Sequence, residues 1–249
     1  MTVVELAVDD ASGSVATYRR FFGRDAAAFQ YDTTNAAVRL DGARSTHRVL
    51  FGVDDVASWQ TLLQRRGLEV HSSDAVTVGV DGFPVGVTED RTPRAHDGAG
   101  ADDILGIDHL VFQAAGRDHA VALFGASLGL DFRLDRPVSD GLRQLFFRAD
   151  DLIIEVLVTP EDTSSVMPTD SAMASRPLSP EVSLWGIAWA TGDIEVTHAR
   201  LVAAGFTVSR VRSGRKPDTR VATVRAPALA TRTLIIEPTQ PVAAKRAHG

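Results

Sequence analysis

Residues 106–113 read GIDHLVFQ, an apolar run interrupted by an Asp-His pair. As a β-strand it has a period of two, which sets Ile107, His109 and Val111 on one face and Leu110 and Phe112 on the other. His109 is then an imidazole standing on a sheet face, where a metal or a substrate can meet it. A second apolar strand, LIIEVLV at 152–158, alternates so that Ile153, Glu155 and Leu157 share a face, with Glu155 lying 46 positions after His109. A carboxylate in the middle of such a strand is costly unless it is paired or bound to something. Glu155 therefore asks for a partner, and His109 with a bound cation is a candidate.

Outward from this pair the chain repeats one order of elements. TVVELAV (2–8) reads as a strand, Asp9-Asp10 opens a helix with Val15, Tyr18 and Phe22 inward, Gly23 closes it, and AAFQYD and NAAVRLDG follow as short strands. From Arg48 the order recurs: RVLFGV, then a helix capped at Asp54-Asp55 and stopped at Gly67, then LEVHSS, VTVGV and FPVGVTE. The third unit runs from Gly106 through a helix near 117–128 to LDFRL, LRQLFFR and LIIEVLV. The fourth starts at LWGIAWAT, continues through DIEVTHARLVAAG, and closes with FTVSRV, TRVATVR and RTLIIEP. Two stretches, RVLFGVDDVASWQTLLQRRGLEV and IAWATGDIEVTHARLVAAGFTV, match without a gap and align Asp55 with Asp193 and Gly67 with Gly205. A strand–helix–strand–strand–strand unit has thus appeared four times, the first copy reduced. The units are too long and mixed for a solenoid, so modules pairing into barrels are the better reading. RTPRAHDGAGADD (91–103) lacks periodicity and reads as a linker, and 159–182, rich in proline, reads as a lid, a crossing segment or disordered chain.

Composition narrows the class. Apolar residues make up 44% and charged residues 23%, the balance of a globular protein with a sizeable core. The net charge of −6 argues against non-specific binding to nucleic acid or to an anionic membrane. There is no cysteine, hence no disulfide, thiolate metal site or cysteine nucleophile. No segment approaches the length of a membrane span and the N-terminus has no leader pattern, so a cytoplasmic location is expected.

A repeated βαβββ module with a His in its first strand and a Glu in its last resembles the vicinal oxygen chelate superfamily, which includes glyoxalase I, methylmalonyl-CoA epimerase, fosfomycin- and bleomycin-resistance proteins and type I extradiol dioxygenases. The resemblance covers almost the whole chain, most convincingly 106–158 and 184–239. It implies an α+β fold of four βαβββ modules pairing into two cupped half-barrels. The expected division is a glyoxalase-like domain at 1–92, a linker at 93–104 and a second glyoxalase-like domain at 105–240. Pairing within one chain and pairing across a homodimer both satisfy the module count. In such a cup the family holds a divalent cation with ligands from first and last strands. Carried over residue by residue, those positions are His109, Glu155 and Glu237, with Trp189 at the fourth, since 48 residues separate Trp189 from Glu237. Tryptophan cannot ligate a metal. In the N-terminal half the places fall on Glu5, Phe51 and Glu89, which makes that half structural or a wall of the substrate pocket.

One imidazole and two carboxylates suit Mn, Fe, Ni or Zn as the divalent metal. The reading that follows is a metal-dependent isomerase, epimerase or lyase acting on a small oxygenated substrate, with Glu155 or Glu237 doubling as ligand and base. The alternative is a metal-free small-molecule binding or drug-resistance protein, in which Trp189 stacks on an aromatic or sugar-like ligand or merely fills the core. An extradiol ring-cleaving dioxygenase is a third reading, and it needs a second His that the pattern does not supply. His47 and His71 are expected at the surface, and His119 and His198, in the third and fourth helices, in exposed or capping roles. RSGRKPD (212–218) is a basic loop, read as solvated rather than as a phosphate contact.

Overall fold

The computed structural model describes residues 1–26, 29–74, 76–90, 104–139, 141–159 and 182–238. The expected linker at 93–104 falls almost wholly outside these residues, and so does nearly all of 159–182. The first half contains β1 (Thr2–Ala7), α1 (Ala11–Phe22), β2 (Gln30–Asp32), β3 (Ala36–Asp41), β4 (Arg48–Val53), α2 (Val56–Arg65), β5 (Val70–Asp74), β6 (Thr77–Val80) and β7 (Val85–Glu89). The second opens with β8 (Ile104–Ala114), α3 (Arg117–Ala120) running on as a π-helix over Val121–Ser127, then β9 (Asp131–Ser139), β10 (Leu142–Ala149) and β11 (Leu152–Val158). It closes with β12 (Val182–Thr191), α4 (Ile194–Ala203), β13 (Thr207–Val208), β14 (Arg212–Ser213), β15 (Arg220–Arg225) and β16 (Arg232–Glu237).

The helix boundaries follow from single residues. The Asp10 carboxylate accepts from the Ser12 and Gly13 amides, Asp55 from Ser58, and Asp193 from Glu195 and Val196, so α1, α2 and α4 each start on an aspartate cap. Each is followed by a glycine at positive φ, such as Gly23 at 68° and Gly205 at 86°, a conformation that only glycine adopts without strain.

Two sheets result, with strand orders β2-β3-β1-β4-β7-β6-β5 and β13-β15-β16-β12-β8-β11-β10-β9. The first strands of neighbouring modules meet at the centre of each sheet: β1 runs antiparallel to β4, and β8 to β12. Neither sheet closes into a barrel, and each carries its helices on one face, as in the glyoxalase-like arrangement of paired modules.

The helix-bearing faces of the two sheets look toward each other over one continuous apolar core that takes side chains from both halves. Phe21 and Phe22 of α1 reach across to Trp189 of β12, with ring centroids 5.6 and 5.2 Å away. Polar groups at this junction are matched in pairs. The Asn35 amide donates to the Ile107 carbonyl (2.8 Å) and accepts from the Ile107 amide (3.0 Å), replacing a missing ladder bond. His47, expected at the surface, accepts from the Ala7 amide at Nδ1 (3.0 Å), so Nε2 carries the proton and donates to Ala230 O at 3.0 Å. Among the described residues no helix is long and apolar enough to cross a membrane.

Tyr18 gives this junction a measurable polar contact. It is 2% exposed, burial pushes its phenol well above the ordinary range, and its oxygen accepts from the Ala230 amide at 3.0 Å. Tyr18→Phe removes that acceptor while keeping the ring. The expected cost is about 1–3 kcal/mol, read as a lower urea midpoint at unchanged m-value. An unchanged midpoint would mean that the Ala230 amide finds another acceptor at no cost.

Candidate functional site

The face of the second sheet that points away from the helices is set by a bulge. Across β8 and β12, Ala188 pairs with His109, and the next pair is Trp189 with Ile107, so Asp108 is an extra residue on its strand. One extra residue reverses the alternation. Ile107 therefore lies on the helix face with Leu110 and Phe112, not beside His109 as strict alternation predicts. The bulge brings Asp108 and His109 together: Asp108 Oδ2 accepts from His109 Nδ1 at 2.9 Å.

On the neighbouring strand β11, Ile153 is opposite His109, and Ile153, Glu155 and Leu157 share its face. Glu155 Oε2 is 3.7 Å from His109 Nε2, too long for a hydrogen bond and close enough for one substrate to meet both groups. The other oxygen, Oε1, accepts from Gln144 Nε2 of β10 at 2.5 Å. Gln144, 5% exposed, in turn accepts at Oε1 from Arg136 of β9, by Nε at 3.0 Å and Nη2 at 2.8 Å. Arg136 lies over the Phe146 ring at 5.4 Å. The result is one polar line across four strands: Asp108, His109, Glu155, Gln144, Arg136. The side chains of Asp108, His109 and Glu155 keep 15%, 19% and 13% of their surface, so the line is sheltered but reachable.

The other two residues expected at the site are elsewhere. Trp189 is on the helix face and 1% exposed, packed on Phe21 and Phe22, so it is a core residue and not a stacking surface in the cup. Glu237 also points to the helix face. Its Oε2 accepts from the Ile194 amide at 2.9 Å, where a carboxylate meets the positive end of α4, and it is 3.5 Å from Arg220 Nη1. The residues of module four that do face the cup are Ala188, Val221, Leu234 and Ile236, an apolar patch beside the polar line. In the first half, Phe51 likewise belongs to the core between the sheets, and Leu50 takes the open face.

These positions decide how well a divalent cation fits. Placed between His109 Nε2 and Glu155 Oε2 it would find two donors, whereas catalytic cation sites of this kind use three protein ligands. Asp108 holds the far nitrogen of the imidazole and orients the ring. Ala188 faces His109 from module four, and Ile236 stands where the last strand would supply a carboxylate. Among the described residues no three His, Asp or Glu side chains are placed so that together they could hold a metal ion. The described donors do not fit a resident divalent cation.

No protein-family model matches the sequence, and no curated protein matches it. Solved structures do match. A triple mutant of 4-hydroxymandelate synthase from Streptomyces coelicolor aligns over 96% of this chain and 92% of its own, at 13% identity and a TM-score of 0.59. A fusion of a xylose isomerase-like TIM barrel with 4-hydroxyphenylpyruvate dioxygenase aligns over 99% of this chain and 52% of its own, at 12% identity and a TM-score of 0.67. Methylmalonyl-CoA epimerase from Mycobacterium tuberculosis covers 57% of this chain and 93% of its own at 20% identity, with a TM-score of 0.42 that is too low to bear on the architecture. The protein shares a glyoxalase-like fold with the first two of these structures along nearly its whole length.

Proposed function

We propose that the cup of the second sheet is a proton-transfer site for a small oxygenated molecule, and that the protein is an isomerase, epimerase or lyase of the vicinal oxygen chelate type. The observation that carries this reading is the Asp108–His109–Glu155–Gln144 line, with a carboxylate oxygen and an imidazole nitrogen facing each other across 3.7 Å. Glu155 Oε2 takes a proton from a carbon next to a carbonyl. The Gln144 amide holds the other oxygen so that the carboxylate cannot rotate away. His109 acts in its doubly protonated form: Nδ1–H is held by Asp108, and Nε2–H is donated to the carbonyl oxygen as negative charge builds there. Return of the proton from Glu155 to another carbon, while the enol O–H gives its proton back to His109 Nε2, completes an isomerisation; epimerisation also requires the enol to turn so that the same carboxylate meets its other face. Ala188, Leu234 and Ile236 offer the apolar body of the substrate a dry wall.

The test uses carbonyl compounds with an acidic C–H: 2-oxo acids, α-hydroxy ketones and acyl thioesters, incubated with the protein in D2O and followed by proton NMR. Exchange of the C–H in at least one class is expected, and because the proton step rests on side chains alone it should survive EDTA. No exchange in any class removes the proposal, and saturable binding without exchange would return the reading of a ligand-binding protein. Exchange abolished by EDTA and restored by Mn²⁺ would show that a cation takes part after all. The ring-cleaving reading finds less support, since the cup presents one imidazole among the described residues where an iron centre of that type uses two.

A further inference from the structure

The open face of the first sheet carries a second row of polar side chains that the proton-transfer reading does not use. Across β2, β3, β1 and β4 the register sets Gln30, Arg39, Glu5 and Arg48 side by side. Glu5 and Arg48 are 8% and 5% exposed, and Arg48 Nε donates to Glu5 Oε2 at 2.8 Å. Two more guanidinium groups converge on this carboxylate. Arg39 Nη1 is 4.0 Å from Oε1, and Arg44 Nε, from the loop at 42–47, is 3.9 Å from Oε2. Arg39 is steadied by donation from Nε to Gln30 Oε1 at 2.8 Å, and Arg44 by donation to Thr46 O at 3.4 Å.

Beyond Arg48 on this face, Gly86 pairs with Leu50 and with Gly79, and Gly79 pairs with His71, whose imidazole meets Asp81. A methyl group at Gly79 would come within 3.0 Å of Arg48 Nη1 and 2.7 Å of the His71 ring. Glycine there leaves the room in which the guanidinium and the imidazole approach the sheet.

Charge is unbalanced at the centre of this row. Glu5 and Arg48 neutralise each other in the buried floor. Arg39 and Arg44 add two positive charges that, among the described residues, have only a share of the same carboxylate. Their side chains are 39% and 27% exposed, so they form the reachable rim of the row. Like charges held this close raise each other's energy, and an incoming anion relieves it. The planar fork of a guanidinium matches the paired oxygens of a carboxylate or a phosphate.

We propose that the N-terminal cup binds a small oxyanion, the carboxylate or phosphate group of a small molecule, between Arg39 and Arg44, with the Glu5–Arg48 pair as its floor. The site is independent of proton transfer in the other cup. Isothermal titration of the full chain at low ionic strength with inorganic phosphate, and separately with succinate, tests it. Saturable binding of at least one probe is expected, and the tighter of the two identifies which oxyanion the site takes. Arg39→Gln and Arg44→Gln, both on part-exposed side chains, should each weaken that binding roughly tenfold, with an unchanged thermal midpoint to show that the fold is kept. The proposal is overturned if neither probe binds, or if both folded variants bind as tightly as the parent.

Discussion

Trp189→Ala is expected to lower the stability of the whole protein by about 3–5 kcal/mol, measured by urea unfolding followed by circular dichroism. Trp189 is the largest of the fully buried side chains, and its neighbours belong to both halves: Phe21 and Phe22 from α1, and Ile107 and Ile235 on the adjoining strands. Removing the ring leaves a cavity between two sheets that are held apart by other side chains and cannot collapse fully onto it. The backbone of Trp189 stays in the ladder and the cup on the far side of the sheet is untouched. C–H exchange measured well below the melting temperature should therefore be near that of the parent. A loss under about 1 kcal/mol, or a specific loss of exchange, would put Trp189 in the site rather than in the core.

Glu155→Gln should reduce exchange by roughly 10²–10⁴-fold with little effect on stability. Glutamine keeps the shape of the side chain, and its amide oxygen can still accept from Gln144 Nε2. It has no carboxylate oxygen to receive a proton beside His109 Nε2. Equal exchange rates in variant and parent would move the base elsewhere. The comparison also tells base loss from misfolding, because a folded variant must retain the thermal midpoint.

The module order was legible in the sequence because each of its marks is local. An aspartate cap, a helical stripe and a stopping glycine recur at Asp10, Asp55 and Asp193 with Gly23, Gly67 and Gly205, and these fix where strands and helices begin. His109 and Glu155 were readable as well, being polar residues in otherwise apolar strands, and the same signal was available at Gln144 in LRQLFFR. What spacing cannot carry is the face. The interval of 48 that links Trp189 to Glu237 links Ala188 to Ile236 equally well, and only the second pair looks into the cup. The Asp108 bulge has no mark of its own in the sequence, so strict alternation misplaces Ile107 and gives no sign of the carboxylate that orients His109.

The central place of β8 has a consequence for how the chain reaches this arrangement. His109 pairs with Ile153 on one side and with Ala188 on the other, partners about 44 and 79 positions along the chain. Neither pairing is a hairpin, so the ends of long loops must be brought together before the contacts reward it. The β9–β10–β11 meander, by contrast, joins strands adjacent in sequence. Folding kinetics of this topology are governed by the search for the middle strand, and until it is found the inner edges of the pieces that flank it remain open to pairing with other chains.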